Sequence, residues 1–145
     1  MKLFHHEKAK TVIIVGCGAL GTALAEALSQ KNNFITLIDC SKNALEALPE
    51  HCYDDCVEGN GADTGILRQA QIYACDQFYA VTGDDNTNLM AAQIAKTCFG
   101  VRQVFVRVDD CTKESVYSGM GMVILSAPLL LCREFLKAAE EETDT

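Results

Sequence analysis

Residues 11–21 read TVIIVGCGALG, and the reading given to this stretch decides the fold. Lys8 and Lys10 precede an apolar run ending in Val-Gly-Cys, the outline of a secretion signal with a lipoprotein-type cysteine. It is equally the outline of a buried strand followed by a glycine turn. A secretion signal needs an apolar core of roughly 7–15 residues, and only Thr11–Val15 lie between Lys10 and Gly16. Beyond the supposed cleavage point, ALGTALAEALSQK sets Leu20, Leu24 and Leu28 four residues apart. That spacing makes one apolar stripe along a helix, expected to pack on the strand a cleavage would remove. The unit is strand, turn, helix.

The same alternation runs outward to the end of the chain. Strands are expected at Thr11–Val15, Phe34–Ile38, Tyr53–Val57, Gln77–Val81, Gln103–Val108 and Met122–Leu125. Helices are expected at Ala19–Gln30, Lys42–Leu48, Thr64–Ala70, Asn86–Phe99, Thr112–Tyr117 and Leu129–Glu141. Ser41 and Asp63 stand where N-caps belong, Gly100 and Gly119 where helices should stop. Short strands separated by helices predict an α/β fold: a doubly wound, Rossmann-like parallel sheet of six strands with helices on both faces. We expect one domain over residues 1–145 with no second C-terminal lobe, ending in a frayed acidic segment, EEETDT.

Composition removes several classes of function. Twenty acidic against 12 basic side chains give a net charge of −8. Phosphate backbones and anionic lipid surfaces both call for a basic face, so neither nucleic acid nor a lipid surface is an expected partner. The longest apolar run, Met122–Cys132, is too short to span a bilayer and contains Pro128. A soluble, cytoplasmic protein with no direct membrane insertion is expected. Its eight cysteines are scattered, many within apolar stretches, as buried reduced thiols would be. His51, Cys52 and Cys56 form one local cluster, but no further ligands follow at a metal-binding spacing.

The chemistry gathers where the strands end. Gly16, Cys17, Gly18, Ala19, Leu20 and Gly21 form G-x-G-x-x-G between a strand and a helix. There the glycines permit a tight turn, approach of a pyrophosphate to the backbone, and close packing of helix on strand. Asp39 ends the second strand, where a carboxylate accepts hydrogen bonds from adenosine ribose hydroxyls. Its charge opposes a ribose 2′-phosphate, and only Lys42 is near, so NADP is disfavoured against NAD(H), ADP, ATP or AMP. Cys40 would lie beside the nucleotide. Two further loops fall on the same edge, with Asn60, Gly61 and Ala62 in one and Thr82, Gly83, Asp84 and Asn88 in the other. Asp84, Asp85, Asp109 and Asp110 read first as helix caps, and alternatively as partners of a divalent cation. Cys17 reads first as a tolerated loop residue, and alternatively as a redox-sensing thiol activated by the helix start. A dehydrogenase needs an acid or base beside the nicotinamide, yet His5 and His6 precede the first strand and His51 falls at the opposite sheet edge. No enzyme activity is expected.

Taken together, VIIVGCGALG, Asp39, VEGNGADTGILRQAQIYACDQFYAVTGDDNTNLMAAQIAK and VFVRV resemble the N-terminal nucleotide-binding lobe of the RCK (KTN, TrkA-N) family, over roughly residues 10–135. The family comprises regulatory subunits of Trk and Ktr potassium transport systems and gating rings of some potassium channels; GNGA is similar to the Trk type. The resemblance implies a lobe that dimerises and assembles into a ring beneath a membrane potassium transporter, at the inner face of the membrane. It implies NAD(H) or an adenine nucleotide at the glycine loop, Asp39 and the two further loops, gating the transporter. The loop arginine that some members direct at a neighbour's terminal phosphate is replaced here by Ala19 and Leu20. SAPLLL lacks the cation-binding glutamate of others. Both departures weigh against ATP with a divalent ion. Leu129, Leu130, Leu131, Phe135 and Leu136 give the last helix more apolar surface than one intramolecular face needs, which implies a dimer formed through it.

Overall fold

β1 (Thr11–Val15) is a run of β-branched residues in which Val12, Ile13 and Ile14 have no exposed surface, as a strand covered on both faces requires. It lies at the centre of the sheet. The computed structural model describes residues 8–143, so His5, His6 and the final Asp144 and Thr145 lie outside the described residues. β2 (Phe34–Asp39), β3 (Asp55–Glu58), β4 (Gln77–Ala80), β5 (Gln103–Val108) and β6 (Val123–Ser126) complete six parallel strands in the order β3-β2-β1-β4-β5-β6. This is the doubly wound Rossmann-like order, which reverses direction between β1 and β4.

Helices α1 (Ala19–Ser29), α2 (Lys42–Glu46), α3 (Thr64–Gln69), α4 (Asp85–Thr97) and α5 (Cys111–Val116) lie in the five connections, and α6 (Ala127–Thr143) follows β6. Two cores result. One packs α1 and α2 against Val12, Ile14, Ile35 and Leu37; the other packs α3 and α4 against Ile13, Ile38, Phe78, Val104 and Val106. The α1 contact differs from expectation. Gly21 and Ala25 are its buried residues, Leu24 and Leu28 are half-buried, and Leu20 is exposed. A Cβ added at Gly21 would come within 1.8 Å of the Gly16 carbonyl oxygen, so the helix approaches through its small residues and the leucines flank the contact. The cysteines also correct expectation: all eight are free, but only Cys17, Cys52 and Cys75 are buried.

Because α1 and α2 cover one half of their sheet face, β4, β5 and β6 leave Tyr79, Phe105 and Leu125 on the other half only partly covered. Tyr79 and Phe105 stack with ring centroids 4.7 Å apart. α6 borders them only through Ala127 and Leu130: it has no buried residue, and Leu131, Phe135 and Leu136 are 56%, 67% and 60% exposed. No described helix is long and apolar enough to cross a membrane.

Candidate functional site

Crossovers that run to opposite sides of the sheet at β1 and β4 open a crevice at the carboxyl ends of the strands. The backbone around it is held by the sheet: Gly16 N–H donates to Ile38 O (2.8 Å), Gly59 N–H to Asp39 O (2.9 Å) and Val81 N–H to Val15 O (2.9 Å). Gly16 has φ +105° and sits against the backbone of Thr82, where an added Cβ would lie 2.8 Å from Thr82 N. Gly18 differs. Its backbone is ordinary (φ −73°, ψ −164°), and an added Cβ would meet no atom within 4 Å. No contact within the protein calls for glycine there, and the backbone at this position is open to an approaching molecule.

The helix ends carry the same message. Ser41, Asp63, Asp84 and Asp110 each accept a hydrogen bond from the first turn of α2, α3, α4 and α5 respectively. α1 has no side-chain cap and no acidic residue in its first turn, which leaves its first N–H groups facing the crevice.

Asp39 closes the other side. Its Oδ2 accepts from Cys17 N–H and its Oδ1 from Ser41 N–H, both at 2.8 Å. These bonds fix the carboxylate beside the glycine loop, and its two oxygens offer about four acceptor positions, so capacity for hydroxyl donors remains. A cleft of about 390 Å³ lies before it, lined by Asp39, Cys40, Asn60, Gly61, Thr82, Gly83 and Asp84 among others, a volume within the range of small-molecule sites. Clefts of comparable size elsewhere do not converge on strand ends and a glycine turn.

The expected site residues divide by placement. Asp39, Cys40, Asn60, Gly61, Thr82, Gly83 and Asp84 line the cleft, and Gly16, Cys17, Gly18, Ala19 and Gly21 form the adjoining loop and helix start. Leu20 instead lines an apolar groove with Tyr79 and Phe105. Lys42 is exposed and pairs with Glu46 at 3.7 Å. Ala62 packs toward the core. Asn88 is fully buried: it accepts from Thr82 N–H (2.9 Å) and Thr82 Oγ1–H (2.6 Å) and donates to the carbonyls of Thr82 and Arg107, both 2.9 Å. Its polar atoms hold the loop in shape. Val15, Ile38, Gly59 and Thr87 also line the cleft. Thr87 was signalled by Asp84-x-x-Thr87, where the Asp84 cap accepts from both Thr87 N–H (2.8 Å) and its hydroxyl (2.6 Å).

The four aspartates act as structural acceptors. The Thr87 hydroxyl and N–H hold the Asp84 carboxyl below its usual range, and Thr112 does the same for Asp110. Burial opposes charge on Asp85, but the N–H groups of Asp110 and Asp109, with Lys113, outweigh it and lower its pKa. Asp109 pairs with Arg107 at 3.2 Å. Among the described residues no three His, Cys, Asp or Glu side chains gather as a metal would need, and buried Cys52 belongs to the core rather than to a group with Cys56. The activated-thiol reading of Cys17 is corrected: burial first, then the charges of Asp39 and Cys56, push its pKa up to about 12.

A family model, the TrkA-N domain, matches residues 12–126. The chain belongs to the TrkA-N family. Trk system potassium uptake protein TrkA of Streptomyces coelicolor is 36% identical over 111 residues, covering 77% of this TrkA-N chain and 50% of that protein. The chain spans about half the length, or less, of the curated relatives it matches. Two solved structures, among others, share the fold. The TrkA-N domain of inner membrane protein ybaL from Escherichia coli superposes with a TM-score of 0.80 at 16% identity, covering 91% of this chain and 98% of that one. The Shewanella denitrificans Kef CTD in AMP-bound form superposes at 0.78 with 15% identity, covering 93% and 82%.

Proposed function

We propose that this chain is the nucleotide-sensing lobe of a cytoplasmic, non-enzymatic regulatory subunit of a membrane potassium-uptake system. The observation that carries the ligand reading is Gly18, where an added Cβ would meet no protein atom, at the uncapped start of α1 and adjoining the loop that Asp39 holds. Phosphates lie on the Gly16–Gly18 backbone and the α1 N–H groups; ribose hydroxyls donate to Asp39; the base or second sugar lies toward the Asn60–Ala62 and Thr82–Asp84 loops. NAD(H), ADP and AMP fit this arrangement. A 2′-phosphate would face the Asp39 charge, which disfavours NADP. The names of the curated relatives support the transport role, and the AMP-bound neighbour supports the ligand class.

The lobe works as a dimer or larger ring seated on its transporter. The exposed Leu131, Phe135 and Leu136 of α6 and the partly covered Tyr79–Phe105 surface are the two apolar faces that a second copy covers. Nucleotide then shifts the assembly only through unequal affinity for its two shapes. Calorimetric titration tests the ligand reading. NAD, ADP or AMP should bind with one site per chain and NADP at least about tenfold more weakly; equal affinity for NAD and NADP would exclude the role given to Asp39.

The rival reading is an NAD-dependent oxidoreductase subunit whose catalytic domain is separate. Hydride transfer by the chain to a carbonyl substrate would favour it.

A further inference from the structure

The amino ends of the strands form the edge opposite the nucleotide cleft, and a row of cations stands along it. Lys31 precedes β2, Lys8 and Lys10 precede β1, and Arg102 precedes β5. Lys8, Lys10 and Arg102 line one cleft, and Lys8, Lys10 and Lys31 line a second. In the order β2-β1-β4-β5 the row covers three strand spacings, about 14 Å. Lys96 adds charge at its end, donating to the Arg102 carbonyl at 3.0 Å. Among the described residues no cation of this row has a carboxylate partner: the ion pairs use Lys42, Arg107, Lys113, Arg133 and Lys137. The acids just before β3 and β4 are each engaged by a backbone N–H, Asp54 by that of Ile35 at 2.8 Å and Asp76 by that of Thr11 at 2.9 Å. Beside the row Phe34 opens β2 and is 50% exposed.

The carboxyl edge is the reverse. Asp39, Glu58, Asp84, Asp85, Asp109 and Asp110 end or follow the strands there, and the cations near them, Lys42, Arg107 and Lys113, pair with Glu46, Asp109 and Asp85. The net charge of −8 therefore conceals a polarity along the strands, acidic around the nucleotide cleft and basic at the far edge. An exposed aromatic ring flanked by lysines is the composition with which a protein rests on a membrane surface: the ring enters the headgroup boundary and the cations meet anionic lipid. Cytoplasmic loops of membrane proteins carry an excess of Lys and Arg, so a transporter's own loops would repel this edge where anionic headgroups attract it.

We propose that the amino edge of the sheet lies against the anionic lipid surface beside the transporter, with Lys8, Lys10, Lys31 and Arg102 on headgroup phosphates and Phe34 at the headgroup boundary. The inference rests on the reading of this chain as a lobe beneath a membrane transporter and adds the direction in which the lobe faces. It sets the nucleotide cleft on the solvent side, a strand length from the lipid, where a ligand enters freely. The contact is peripheral, and its electrostatic part decays within a Debye length.

Co-sedimentation of the 145-residue chain with vesicles tests it, using phosphatidylcholine alone or with phosphatidylglycerol at one part in three. At 0.05 M salt the anionic vesicles should bind at least about fivefold more protein, and the excess should vanish at 0.5 M. Lys10→Glu/Arg102→Glu should weaken binding to anionic vesicles at least about tenfold, and Arg133→Glu/Lys137→Glu, the same change of net charge placed on α6, less than about twofold. Phe34→Ser should weaken it about threefold and leave the salt dependence in place. Far-UV circular dichroism reports the folding of each variant. AMP should bind in a calorimetric titration with the same affinity whether or not anionic vesicles are present. Equal sedimentation with both vesicles would overturn the inference and leave the basic edge to an acidic protein surface. Equal losses in the two double variants would overturn it too, since net charge alone would then govern binding. Release of the chain by 5 mM phosphate at constant ionic strength would assign the clefts to a free anion instead, and AMP binding blocked by the vesicles would reverse the orientation. Absence of AMP binding in vesicle-free buffer would remove the nucleotide reading and leave the vesicle result to stand by itself.

Discussion

Gly18 and Gly21 belong to one motif but answer to different constraints. Gly21 is fixed by the protein, because a methyl group there would overlap the Gly16 carbonyl at 1.8 Å. Gly21→Ala should cost about 3 kcal/mol in urea-denaturation stability, the range of overpacked contacts that cannot relax freely. Gly18→Ala should cost less than about 1 kcal/mol, the difference between glycine and alanine at an N-cap. If Gly18 lies beneath phosphate, the same change should abolish nucleotide binding in a calorimetric titration. Cys17 shows a second residue-level contrast. Burial raises its thiol, and that of Cys75, from 9.0 to about 12. The folded state holds these protons more tightly than the unfolded chain, so the stability they contribute is complete below about pH 9 and lost as pH climbs toward 12. Native alkylation with iodoacetamide at pH 8, read by peptide mass spectrometry, should therefore spare Cys17 and Cys75 and modify exposed Cys40, Cys56 and Cys98.

Among the elements, α4 does most to shape the cleft. Asn88 in its first turn ties the Thr82 loop to the Arg107 carbonyl, and Asp85 ties it to the turn before α5. Asn88→Ala would leave buried backbone groups without partners, at about 3 kcal/mol of unfolding free energy, and should weaken nucleotide binding by loosening the loop. Asn88 stood out in the sequence only as one more amide in a polar loop; its burial depends on β5 arriving 19 residues later in the chain. Local signals served better where the constraint is local. β1 and β5 have the expected bounds because their apolar runs meet clear turn residues. β3 starts at Asp55 rather than Tyr53, since an edge strand with only Val57 buried offers little periodicity to read. α6 starts at Ala127, two residues early, because proline is tolerated in a first helical turn. The 3-10 turns at Glu50–Cys52 and Ile72–Ala74 had no legible signal; the second is set by Gln71 at φ +59°, a conformation its side chain does not announce.

At the scale of the molecule, the chain is divided between a sheet half that its own helices cover and a half left open beside Tyr79 and Phe105. Its apolar α6 borders that surface only through Ala127 and Leu130 and leaves Leu131, Phe135 and Leu136 exposed. If a second copy covers α6 as proposed, Phe135→Lys should leave a monomer in light scattering without altering the circular dichroism of the fold. A dimer of unchanged strength would place the contact elsewhere. Because Phe135 does not line the cleft at the ends of β1, β2 and β4, nucleotide binding should survive that substitution, separating sensing from assembly.

Whether the glycine turn holds an adenine nucleotide against Asp39 is tested most directly by thermal unfolding against a ligand panel. A ligand at 100 times its dissociation constant adds about 2.7 kcal/mol to the folded state, several degrees in Tm for a domain of this size. NAD, NADH, ADP or AMP should raise Tm by that amount with or without magnesium, and NADPH should not. A Tm unchanged by every adenine nucleotide would mean that the turn serves packing alone and that the lobe senses something else.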